Sequence, residues 1–232
     1  MKTYRVSALA SAAVRMWRAW SVVLPVVVVN AAAQGALVYP EINLEPSVPL
    51  ALALVASAVL FVFAYGLLAS AALHTPDGHV GWRMAWAGLR ARLLPFLLWS
   101  LGLLIAVSVG LAVHLLVAVL IVGLTAFVLF AVLEGRSNPL WVNLRTIGRR
   151  IWRWLATGVV VVLLVTLGVA LMGVTQFSLR GWLGATVTWL VAGLLIAWLI
   201  TARALLYRSA WAEPSAPTVA EARAEEPTPD LA

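Results

Sequence analysis

Apolar residues in this chain gather into long runs separated by short basic stretches. Uncharged apolar runs cover Ala19–Val38, Val48–Leu73, Leu93–Leu133, Leu155–Leu179 and Gly181–Ala202. Each reaches the roughly 20 residues that a helix needs to cross a hydrocarbon core about 30 Å thick. The third run, 41 residues long, would as one helix measure about 60 Å at about 1.5 Å per residue, twice what a bilayer covers. It is therefore expected to be two helices joined by a tight turn near Gly110–His114, where a glycine and the run's only ionisable residue fall close to its midpoint. Six spans result.

The basic stretches have a pattern of their own. After Asn138-Pro139, an N-cap and first-turn proline signal, Leu140, Leu144, Ile147, Ile151 and Trp154 recur at helical spacing, with Arg145, Arg149 and Arg153 on the opposite face. Val6, Leu9, Ala13, Trp17 and Trp20 against Ser11, Arg15 and Arg18 repeat the arrangement, as do Trp82, Trp86, Leu89 and Leu93 flanked by Arg83 and Arg90. Offsets of 75 and 135 lay Arg15 on Arg90 and on Arg150. The chain thus reads as three units of about 3–73, 78–134 and 138–207, each a basic amphipathic helix followed by a span, an outer turn and a second span. The fold class predicted is all-α: a polytopic membrane protein of six transmembrane helices in three hairpins, each preceded by an interfacial amphipathic helix. Residues 1–212 form the membrane domain, and residues 213–232, rich in proline and acid, form a disordered cytoplasmic tail.

Composition makes lipid the solvent. Hydrophobic residues are 63% of the chain and charged residues 11%, against about 25% charged in a soluble domain, which could not hide so much apolar side chain. The absence of cysteine removes disulfides, thiolate metal sites and cysteine nucleophiles. A net charge of +7 suggests nucleic acid only until the charges are placed. Cytoplasmic loops retain Lys and Arg, and six spans with the N-terminus inside put 15 of the 16 bases on the inner side, with only Arg180 outside. An odd number of spans would put the five arginines between 136 and 153 on the wrong side. A plasma membrane location with both termini cytoplasmic follows. A cleaved signal peptide ending near Ala31-Ala32-Ala33 is the weaker reading, because the same basic, tryptophan-rich pattern recurs twice inside the chain.

Eight of the 12 tryptophans also fall at this inner surface, so Arg15, Trp17, Arg18, Arg83, Trp86, Arg90, Arg145, Arg149, Trp152 and Arg153 are the candidate interface for anionic lipid headgroups or a membrane-protein partner. The plainer reading is that Trp and Arg simply mark the boundary of a polytopic protein. Within the spans, ionisable groups that would signal coupling or catalysis are nearly missing. Asn30 and Gln34 share a face of the first span and are expected to hydrogen-bond to another helix rather than line a pathway. His74-Thr75-Pro76-Asp77-Gly78-His79 holds ligand-type residues, but its spacing matches no structural zinc site and Pro-Asp-Gly signals a turn. Glu134 reads as a boundary residue held by backbone or an arginine. No cofactor, metal or catalytic residue is expected, and no nucleic acid.

Phe130-Ala-Val-Leu-Glu134-Gly135, followed by the amphipathic Leu140–Trp154 and a new span, resembles the membrane domain found beside some bacterial glycerophosphoryl diester phosphodiesterases and in related stand-alone polytopic proteins. Gly66 to Arg92 looks like an earlier copy, and Thr201-Ala-Arg-Ala-Leu-Leu-Tyr207-Arg208 is similar to the closing span of those proteins. The resemblance implies chemistry housed in a separate soluble domain, none of which is present here, so no catalytic residue carries over. Two functions remain: a non-enzymatic accessory or scaffold acting through its Arg/Trp inner face, or a transporter-like component for a lipidic or uncharged solute, which would need a polar cavity at mid-membrane. An intramembrane enzyme would need an inward cluster joining His74, Asp77, His79 or Glu134.

Overall fold

The computed structural model describes residues 4–38, 47–75, 78–178 and 181–211. They form helices α1 (Tyr4–Arg18), α2 (Trp20–Val38), α3 (Val48–His74), α4 (Trp82–Ala91), α5 (Leu93–Val113), α6 (Leu115–Leu124), α7 (Val128–Leu133), α8 (Pro139–Arg149), α9 (Ile151–Ser178) and α10 (Trp182–Trp211). Six stretches are long and apolar enough to cross a membrane: α2, α3, α5, α6 together with α7, α9 and α10. The molecule is an integral membrane protein with no strand among its described residues. The acidic loop at Glu41 and Glu45, Asp77, Arg180 and the tail lie outside those residues.

The long apolar run breaks at His114. Its backbone turns extended, and its Nδ1 accepts from the Leu116 amide at 3.1 Å, so a histidine serves as N-cap of α6. The fourth span, read from sequence as continuous, is itself broken at Thr125–Phe127. A broken helix exposes amides and carbonyls that lipid cannot satisfy. Here the side chain of Asn143 on α8 bridges the gap, its Oδ1 accepting from the Phe127 amide at 2.9 Å and its Nδ2 donating to the Leu124 carbonyl at 2.5 Å. Trp154 on α9 adds a third bond, Nε1 to the Gly123 carbonyl at 2.9 Å.

Each short basic helix is separated from the following span by one residue, at Ala19, Arg92 and Arg150. All three junctions use one hydrogen-bond pattern. The junction amide donates three residues back, to Met16, Leu89 and Ile147 respectively, and the junction carbonyl accepts from the amide four residues on, at Val23, Phe96 and Trp154. Arg92 and Arg150 also share their backbone angles, φ −129° and ψ 22° against φ −135° and ψ 34°. The three bends fall at residues 19, 92 and 150, a register in which Arg90 and Arg150 do not coincide. Sequence matching followed the arginines, whereas the fold repeats the bend.

Consecutive spans pack on each other, α2 on α3, α5 on α6 and α9 on α10, but the most extensive helix contact joins α2 to α10. Small residues permit it. A Cβ on Gly35 would overlap Thr186 on α10, and one on Gly193 would press on Val27 of α2. Val22, Val23, Val26, Val27, Ile200 and Ala204 fill this part of the core.

Candidate functional site

The two ends of the bundle differ in charge. Among the described residues Glu134 is the only carboxylate, against 13 arginines. The arginine-rich end is built around that carboxylate. Helix α7 stops in a Schellman cap: the Gly135 amide donates to the Val132 carbonyl at 2.9 Å and the Arg136 amide to the Ala131 carbonyl at 3.0 Å. The motif needs a left-handed residue, and Gly135 supplies φ +73°. A Cβ there would also overlap the Arg92 guanidinium, which lies directly against the glycine. Glu134 is thereby presented to α10, where its Oε2 accepts from the Tyr207 hydroxyl at 2.9 Å and pairs with Arg136 at 3.2 Å. The Tyr207 ring is fully buried, stacked against Phe127 and Phe130. Burial works against the charge on Arg136, but Tyr207 and Glu134 outweigh it and raise its pKa above the usual guanidinium value.

The end of α10 gathers more arginines. Guanidiniums of Arg149, Arg136 and Arg145 lie 4.8, 5.3 and 5.4 Å from the Trp211 ring centroid, within cation–π range. The indole Nε1 donates to Thr146 Oγ1 at 2.9 Å. Arg149 donates to the Ala210 carbonyl at 2.7 Å and Arg150 to the Ser209 carbonyl at 2.9 Å, so two cations satisfy the last carbonyls of α10, where the helix dipole favours positive charge.

Beside this network is a cavity of about 110 Å³ whose polar lining comes from Ser70 and His74 on α3, Glu134, and Arg208 on α10. It joins two residues, His74 and Glu134, that the sequence singled out separately. Catalytic pairing is absent between its serine and histidine: Ser70 Oγ donates to the Ala85 carbonyl at 2.8 Å, and His74 Nδ1 lies 2.7 Å from the Ser70 carbonyl oxygen rather than its hydroxyl. His79 is exposed, and no three metal-binding side chains come together among the described residues.

The interface candidates divide into two groups. Arg18, Arg83, Trp86, Arg90, Trp152 and Arg153 are exposed, as is Trp17, which stacks on Trp20 at 5.0 Å, while Arg15 is half-buried. Arg145 and Arg149 are exposed too, but their guanidiniums lie over the Trp211 ring. On α8 Pro139, Val142, Asn143, Thr146 and Ile147 pack on the bundle, while Leu140, Trp141 and Leu144, and Ile151 at the start of α9, stay open. The expected apolar stripe is therefore mostly outward, with Ile147 and Trp154 turned in. Likewise α4 buries Ala85 and Leu89 and leaves Trp82, Met84 and Trp86 open.

Deep in the spans, Gln34 is buried and bonded to Ser57 on α3: Ser57 Oγ donates to Gln34 Oε1 at 2.8 Å, and Gln34 Nε2 to the Ser57 carbonyl at 3.3 Å. Asn30 is also buried, its Oδ1 lacking a partner beside a cavity of only about 20 Å³ shared with Tyr65 and Trp189.

Sequence reasoning reads Trp154 only as part of an apolar stripe and misses Asn143 and Arg92. Only Asn143 carried a signal, as a carboxamide on the apolar half of α8. Comparison with family models, with curated proteins and with solved structures finds no match for this chain.

Proposed function

We propose that the protein is a non-enzymatic accessory or scaffold of the plasma membrane that engages lipid headgroups, or a membrane partner, through its arginine-rich end. That end faces the cytoplasm in this reading, with both termini inside, three helical hairpins, and α1, α4 and α8 lying in the interface. The carrying observation is the surplus of 13 arginines over one carboxylate among the described residues, beside outward Trp and Leu faces on α4 and α8. An arginine near an anionic membrane surface gains about 1 kcal/mol from lipid phosphates. The likeness of Phe130–Gly135 and the following segment to the phosphodiesterase-associated membrane domain is compatible with this role and adds no catalytic residue.

The transporter alternative expects a polar cavity at mid-membrane. The described region around Asn30 and Gln34 offers room for about one water, which favours the scaffold.

The test replaces the exposed arginines Arg18, Arg83, Arg90 and Arg153 together by Gln and extracts the protein in native membrane patches. Mass spectrometry should show less anionic lipid retained while the helical content is unchanged; undiminished retention would refute the proposal. Single cysteines at Ser137 and Ser209 should label only from the cytoplasmic side.

A further inference from the structure

We infer that the cavity between α3, α4, α7 and α10 is a binding site for a phosphate ester carrying a primary ammonium, the chemistry of a phosphatidylethanolamine headgroup. The inference rests on the lipid-engaging reading of the arginine-rich end and names one headgroup for it. The cavity's polar lining has opposite charges on different elements, Arg208 on α10 and Glu134 at the end of α7. An arginine suits a phosphate. Both hydrogen bonds to Glu134 end on Oε2, and Oε1 takes neither.

His74 supplies a second acceptor. Its Nδ1 faces the Ser70 carbonyl oxygen at 2.7 Å, an atom that can only accept, so Nδ1 carries a proton and any lone pair the ring offers is on Nε2. A carboxylate oxygen and an imidazole lone pair call for a donor, and a primary ammonium brings three N–H groups and a positive charge. A quaternary ammonium has no N–H and is held instead by aromatic faces, of which the described residues of the cavity lining have none. A volume of about 110 Å³ compares with the share of about 30 Å³ that one water takes in the liquid, so the cavity admits a small polar group. It lies where the spans end, at headgroup depth.

The experiment uses the full chain in phosphatidylcholine discs doped with phosphatidylethanolamine or with phosphatidylglycerol, and mass spectrometry of the lipids that stay bound. Phosphatidylethanolamine should be retained roughly tenfold over phosphatidylcholine. Glu134→Gln, which still accepts from Tyr207 but carries no charge, should bring retention down to the phosphatidylcholine level. Equal retention of phosphatidylethanolamine and phosphatidylcholine by the native chain would overturn the proposal, as would a preference that survives Glu134→Gln. Phosphatidylglycerol retained as well as phosphatidylethanolamine in a Glu134-independent way would also overturn it, because the cavity would then read only the phosphate.

Native chain alone gives a second measurement should the variant fail to fold. Soluble phosphoethanolamine should displace the retained lipid and phosphocholine should not; displacement by both, or by neither, would refute the assignment. Thermal protection by soluble phosphoethanolamine in pure phosphatidylcholine discs as strong as that by the lipid would make the source a free ester, and weaker protection than the lipid gives would make it the membrane. The two readings fail separately. Arg153→Gln should lower phosphatidylglycerol retention without touching the phosphatidylethanolamine preference, so loss of the first effect strikes the broad interface and loss of the second strikes the cavity.

Discussion

Two buried asparagines mark two kinds of interior. Asn143 is 1% exposed and both ends of its carboxamide are bonded, holding the break between α6 and α7 closed. Asn30 is 8% exposed, and its Oδ1 has no partner beside a cavity about the size of one water. Similar burial hides different work. In the first region the polar side chain replaces backbone bonds that an unbroken helix would have made for itself. In the second, the helix is continuous and the carboxamide is an addition that the fold tolerates. Gln34, four residues along the same face, lies between these cases, because its two bonds to Ser57 join helices without repairing either one.

That contrast can be broken by substitution, and the largest effect belongs to Asn143→Leu. It orphans the Phe127 amide and the Leu124 carbonyl, at about 1–3 kcal/mol for each buried group, and should appear as a large drop in the thermal midpoint in detergent. Trp154→Phe removes one bond to the same break and should cost about 1 kcal/mol. The double variant Asn143→Leu/Trp154→Phe should cost less than the sum, since both side chains serve one break; strict additivity would mean that they act independently. Ser57→Ala leaves Gln34 Oε1 without its donor and should cost about 0.6 kcal/mol, the average for a hydrogen bond between membrane helices. Asn30→Leu should be neutral or slightly stabilising. A loss as large as that of Asn143→Leu would erase the distinction between the two regions.

What could be read from residue order followed the strength of the physical signal. Six stretches of spanning length stood out because lipid demands them, and His114 was found because one ionisable residue in 41 apolar ones is conspicuous. The break at Thr125–Phe127 was invisible. Its residues are apolar or small like their neighbours, and the side chains that satisfy it come from α8 and α9, up to 31 residues away. Glu134-Gly135 could be seen as a step, and the structure shows the Schellman cap that makes the glycine necessary. Arg145 and Arg149 are four residues apart and so share a face of their helix, but sequence could not show that Trp211 would lie beneath them. The cavity joining Glu134 to His74 needs the fold, because their separation of 60 residues leaves no periodicity to detect.

The contact between α2 and α10 has a consequence for assembly during synthesis. The helix face bearing Val22, Val26, Asn30 and Gln34 leaves the ribosome long before the helix that completes its packing. Until α10 inserts, the nascent protein must hold that face against α3, lipid or an insertion chaperone. The native bundle therefore closes only at the end of translation. A chain stopped after α9 would keep five spans in the membrane yet lack the helix that covers α2, making it a natural substrate for membrane quality control.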